Sequence, residues 1–158
     1  MMTDGARELS FTRLLDAPRA AIWRCWTESD LLKQWFCPKP WHVSKAELDV
    51  RSGGASLIVM NGPNGEEMPN RGVYLDVVPN QRLVFSDAFT EAWVPSQKAF
   101  MVGTIEMADE GGNEAGKTRY TATVRHWTAE DRDMHEKMGF FTGWGIATDQ
   151  LEALAKTL

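Results

Sequence analysis

The chain has 158 residues, a length that fits one domain spanning 1–158 better than two. Apolar residues at 43% and charged residues at 25% exclude a disordered chain, and a net charge of −5 argues against binding nucleic acid or an anionic membrane. The densest apolar stretch, residues 55–60, is far shorter than the ~20 residues of a membrane helix, and the start carries no apolar run of the secretory kind, so a cytoplasmic protein is expected.

In chain order, residues 8–15 read as a first strand, and residues 1–7 are expected to lack ordered structure. Asp16-Ala17-Pro18 then marks a helix start, with Pro18 at the first helical position, where a missing N–H costs nothing. That helix runs through Trp26. A second short helix is expected from Ser29 as N-cap to the Cys37-Pro38-Lys39-Pro40 segment, which two prolines prevent from continuing. Six strands follow at 42–51, 55–61, 72–78, 82–89, 99–107 and 118–127, separated by turn signals such as Ser52-Gly53-Gly54 and Pro79-Asn80-Gln81. Consecutive strands of this kind predict an antiparallel meander.

After Thr128 the period changes. Thr128 with Asp131 resembles a capping box, and Met134, Met138, Phe141, Trp144, Thr148, Leu151, Ala155 and Leu158 recur close to helical spacing. One long amphipathic helix is predicted. The order strand, two short helices, six-strand meander and long C-terminal helix predicts an α+β domain in which a curved antiparallel sheet wraps a helix.

Strand alternation sorts side chains by face. His126 falls with Tyr120, Ala122 and Val124 on the inward side of the last strand. Asp87 falls between Phe85 and Phe89 on the apolar side of its strand, and His42 shares a face with Ala46, Leu48 and Val50. Polar groups on apolar faces cost a few kcal/mol unless partnered. They are either bonded locally or ring a partly wet cavity in which they orient a ligand. The heavy aromatic and methionine content supplies the remaining candidates: Trp35, Phe36, Phe85, Phe89, Met101, Tyr120, Met134, Met138, Phe141 and Trp144 serve as core, as the wall of a tolerant apolar pocket, or as both. Gly139, Gly143 and Gly145 weaken the predicted helix by about 1 kcal/mol each relative to alanine, which points to close packing on the sheet or to room for a ligand.

Cys25 and Cys37 are too few for a disulfide framework or a cysteine zinc site. No nucleophile elbow, phosphate-binding loop, dinucleotide fingerprint or zinc-protease motif occurs. No catalytic set, metal or cofactor is therefore assigned.

Several motifs together resemble a known family. Asp16-Ala17-Pro18 with Ile22-Trp23, Gln34-Trp35-Phe36-Cys37-Pro38, Asp49-Val50-Arg51-Ser52-Gly53-Gly54, residues 77–85 after Gly72, Thr118-Arg119-Tyr120-Thr121, and Met138-Gly139-Phe140 with Gly143-Trp144 occur in order along nearly the whole chain. They resemble the START-like or Bet v 1-like (SRPBCC) helix-grip superfamily. Within it they are most similar to bacterial proteins related to the C-terminal domain of the activator of Hsp90 ATPase. The resemblance implies a cavity between sheet and C-terminal helix, and no fixed catalytic residues. The leading expectation is a module binding a small hydrophobic or aromatic ligand, with a homodimer left open. The alternatives are a cyclase, dehydratase or hydrolase using His126 and Asp87, and a co-chaperone-type interaction domain.

Overall fold

Seven strands form one antiparallel sheet in the computed structural model, which describes residues 5–110 and 116–158. Their order is β1 (Glu8–Leu15), β9 (Thr118–His126), β8 (Met101–Asp109), β5 (Arg82–Ser86), β4 (Glu67–Val78), β3 (Ala55–Asn61) and β2 (His42–Leu48). The two short helices are α1 (Arg19–Thr27) and α2 (Ser29–Leu32), and the chain closes with α3 (Ala129–Lys137) and α4 (Phe140–Ala155). This is the predicted α+β helix-grip architecture, and all six meander strands are present. The expected disorder of residues 1–7 does not hold for Gly5–Arg7, which form one turn of 3₁₀ helix against the sheet edge. Residues 1–4 lie outside the described residues.

Three local departures from simple periodicity decide which side chains face the helix. The first is in β2, where a bulge shifts the register between Val43 and Lys45. An extra residue reverses the alternation beyond it. Val43 is therefore buried, with Ala46 and Leu48 half-buried on the same side, and His42 turns out to solvent.

The second follows β5. The predicted strand 82–89 stops at Ser86, whose hydroxyl donates to Met101 O at 2.9 Å and accepts from Ala88 N at 3.0 Å. Asp87 Oδ1 then accepts from Phe100 N and Met101 N, at 2.9 and 3.1 Å, closing the neck of an excursion. Within that excursion, β6 (Phe89–Glu91) and β7 (Val94–Pro95) form a small separate hairpin, and Phe89 packs edge-on against Trp93. Phe89 thus leaves the face it shared with Phe85 in the sequence reading.

The third departure breaks the predicted long helix in two. Gly139 has φ of +98°, a left-handed conformation that ends α3 and precedes α4. The apolar recurrence Met134, Met138, Phe141 crosses this break, so its phase is not that of either helix. Met134, Met138 and Phe141 are all exposed, while Arg132 and His135 of α3 turn toward the sheet. The predicted cap at Thr128 is present, accepting from Asp131 N at 3.0 Å.

The glycines separate cleanly. A Cβ at Gly139 or Gly145 would touch nothing within 4 Å, and one at Gly143 would meet only Pro38 Cγ at 3.9 Å, so none of them serves close packing on the sheet. Gly139 is required for its backbone angle alone. Gly139→Ala should therefore destabilise the domain by about 1 kcal/mol, whereas Gly145→Ala, inside α4, should stabilise it by up to about 1 kcal/mol. Urea unfolding of the two variants checks the opposite signs.

Candidate functional site

The concave face of the sheet is covered by two separate lids. Under α4, the inward residues of β1, β8 and β9 are sealed: Leu15, Ile105, Tyr120 and Ala122 are buried together with Ala147, Leu151 and Ala155. Under α2 and the segment after it, Leu32, Cys37, Val43 and Ile58 form a second cluster. The segment 33–41 acts as a strap across this second half. Gln150 of α4 ties it down, its amide donating to Trp35 O and Cys37 O, both at 2.9 Å, and accepting from Lys39 N at 3.2 Å. Every hydrogen-bonding position of that side chain used here meets a backbone group, so the strap needs no secondary structure of its own.

A seam runs where the two lids meet. Phe36 packs on both clusters, and Trp144 joins the α4 cluster to a third one around Leu9, Val124 and Phe140. Phe36, Phe85, Met101 and Trp144 face inward yet keep part of their surface accessible. Gly103 makes this possible, since a Cβ there would lie 2.6 Å from the Phe85 ring. At the bottom, Trp26 packs edge-on against Trp35 and Phe36 and at a tilt against Phe85, at centroid distances of 4.9, 5.9 and 5.6 Å. Its Nε1 donates to Tyr120 Oη at 3.1 Å. The four partly exposed side chains therefore sit on a rigid aromatic floor with its polar atoms already paired.

Beside the seam lies a pair of histidines. His126 Nδ1 is 2.9 Å from Arg7 O, and His126 Nε2 is 2.9 Å from His135 Nδ1. A carbonyl only accepts, so His126 carries its proton on Nδ1 and, when neutral, accepts from His135 Nδ1–H. Phe100 stands over both rings, at 5.3 and 5.1 Å, and Phe140 is 5.1 Å from His135. Burial, and then the neighbouring His126, lower the His135 pKa to about 4. With Arg132 Nε donating to Glu8 O at 3.2 Å, this pair fastens α3, which buries no residue of its own, to the chain's start and the end of β9.

The predicted site residues separate into groups. Phe36, Phe85, Met101 and Trp144 come together at the seam. Trp35 and Tyr120 lie beneath it, buried. His126 faces inward as predicted, but both ring nitrogens are occupied. Asp87 is spent on two backbone N–H groups, and no hydrogen bond joins it to His126. Phe89 sits in the separate hairpin, and Met134, Met138 and Phe141 lie on the outer side of α3 and the start of α4. His42 is exposed on the edge strand, five strands removed from β9, or roughly 24 Å at the usual strand spacing. Among the described residues no group of three or more His, Cys, Asp or Glu converges as metal ligands. Burial pushes the Cys25 thiol up to about 11 and raises Cys37, which keeps both protonated and unreactive.

Sequence reasoning missed His135 and Gln150. Both carried a signal: each lies one helical turn from an inward-facing residue, His135 after Arg132 and Gln150 after Ala147. The histidine pair has a pH consequence with a definite sign. His135 resists protonation in the folded state, while the unfolded chain binds that proton near the ordinary histidine value of 6.5. Stability should therefore fall as pH drops from 6.5 toward 4, by about 1 kcal/mol after discounting for the partial exposure of the ring, or ~2–4 °C in Tm. His135→Asn, which keeps a donor toward His126, should lose this component of the pH dependence when melting is compared with the wild type at pH 7 and pH 4.5.

Comparison with known proteins places the fold. A protein of Nitrosomonas europaea has 39% identity and a TM-score of 0.92, over 98% of this chain and 97% of its own. A protein of Rhodobacter sphaeroides, 23% identical over 99% and 97% of the two chains, superposes with a TM-score of 0.82. An AHSA1-like protein of Aeromonas hydrophila, 18% identical over 95% and 92%, gives 0.70. No curated protein matches the chain. Among the described residues no helix is long and apolar enough to cross a membrane. The family model described as Activator of Hsp90 ATPase homolog 1-like protein matches residues 16–156, and the chain belongs to that family.

Proposed function

We propose that the domain binds a small hydrophobic or aromatic molecule at the seam between strap and α4. The observation that carries this reading is the partial exposure of Phe36, Phe85, Met101 and Trp144 while Leu83, Ile105, Tyr120 and Ala122 of the same sheet are sealed. Exposed aromatic surface on a rigid floor gives an apolar ligand contact area without rearrangement of the protein. Gly143 of α4 brings no side chain to the strap, where a Cβ would come within 3.9 Å of Pro38 Cγ, and we take this point as the entrance. Met101 adds a deformable wall suited to ligands of varied outline. Acid–base work by His126 and Asp87 draws no support, because both His126 ring nitrogens and Asp87 Oδ1 already have protein partners.

A second reading, a protein-interaction domain of the co-chaperone type, is favoured by a different observation. Met134, Met138 and Phe141 are exposed by 46%, 69% and 47%, more apolar surface than a short stretch of solvated helix requires. That surface lies away from the seam, so the two readings respond to different substitutions.

Gly143→Leu separates them. A leucine should fill the entrance and gain up to about 1 kcal/mol of helix preference in α4. Binding of the neutral fluorescent probe N-phenyl-1-naphthylamine should weaken at least tenfold, with thermal stability unchanged or raised. Unchanged probe binding in a folded Gly143→Leu protein would refute the seam as the binding site.

A further inference from the structure

The strap has a second side. A half-enclosed cleft of about 310 Å³ opens there, and neither Phe36 nor Pro38 contributes to its wall. Its floor is Trp35 and Cys37, both buried, and Trp41 forms an aromatic side. Lys33, Lys39 and His42 stand around it, and no carboxylate is part of the wall.

This grouping runs against the rest of the molecule. The net charge is −5, and other cations nearby in the fold are matched, as Lys45 is with Glu47 and Lys156 with Asp16. Lys33 and Lys39 form no ion pair among the described residues. Glu66, whose carboxylate lies near Gly62 and Trp41, accepts from Asn64 N and stays outside the wall. Two unmatched ammonium groups at the rim of a low-dielectric, aromatic-walled cleft concentrate positive potential inside it. Gln150 fixes the strap backbone at Trp35, Cys37 and Lys39, so the cleft's floor is set before any ligand arrives.

We infer that this cleft is a second binding site, for a small planar molecule carrying one anionic group. The flat apolar part lies against Trp41, and the anion meets Lys33 and Lys39. The chemistry suits a carboxylate or a phosphate on an aromatic body. It is independent of the seam, since the two sites share no accessible side chain.

Calorimetric titration of the full chain with 2-naphthoate and its neutral isostere 2-naphthalenemethanol tests the inference. The expected result is at least tenfold tighter binding of the anion, weakening several-fold from 50 to 500 mM salt. The exposed pair Lys33→Met with Lys39→Met should abolish that preference, and Gly143→Leu should leave it intact. Displacement by inorganic phosphate would assign the cleft to phosphate-bearing ligands, and no displacement to carboxylates, either outcome upholding an anion site. Absence of binding, equal affinity for the two probes, a preference that survives the double substitution, or one lost in Gly143→Leu would each overturn it.

Discussion

One glutamine side chain sets the geometry on which the rest of the concave face depends. Gln150 reaches from α4 to three backbone groups of the strap and satisfies them without help from helix or sheet. The strap carries two prolines and could not supply those partners itself. Held this way, it covers the β2 and β3 half of the sheet while α4 covers the β1, β9 and β8 half. Trp35 and Phe36 of the strap reach into the cluster under α4 and join the two halves. The seam between them and the cleft on the strap's far side are both consequences of that single tether.

Beneath the tether, apolar and polar contacts divide the labour. The aromatic floor of Trp26 and Trp35 is packed edge-to-face, meets Phe36 edge-on and Phe85 at a tilt, and has Trp26 Nε1 paired to the buried hydroxyl of Tyr120. Burial also raises the pKa of that hydroxyl, so it remains a neutral partner. At the other end, α3 has no buried side chain and is held by Arg132 and the histidine pair. A helix attached by a few polar contacts opens more readily than one seated on a core. The fold therefore has a firm region under α4 and a weakly held one at α3, meeting at Gly139.

The architecture was readable in the sequence because its signals are local and redundant. Several of the six meander strands have a two-residue period, turn signals separate them, and Thr128 announces the cap of α3. Side-chain direction was less readable, for physical reasons that can be named. One bulged residue in β2 turned His42 outward while Val43 went in. Ser86 and Asp87 bonded to β8 and ended β5 early, carrying Phe89 away from Phe85. At Gly139 the left-handed backbone reset the helical phase, so the apolar recurrence through Met134 and Met138 marked a surface instead of a core. His126 was placed on the correct face, yet its partners, Arg7 and His135, come from distant elements that strand alternation does not see. At the seam, Phe36, Phe85, Met101 and Trp144 were all named in advance, but only the two-lid arrangement distinguishes them from the sealed core around them.

The account stands on the claim that the seam admits a small apolar molecule while the surfaces around it do not. Methionine methyl NMR reads this directly, because methionines report from each region: Met101 at the seam, Met107 in the sealed half, and Met134 and Met138 on α3. Titration with N-phenyl-1-naphthylamine should shift the Met101 methyl in a saturable manner and leave Met107, Met134 and Met138 in place. A silent Met101 with shifts confined to Met134 and Met138 would contradict the account and move the binding surface to α3.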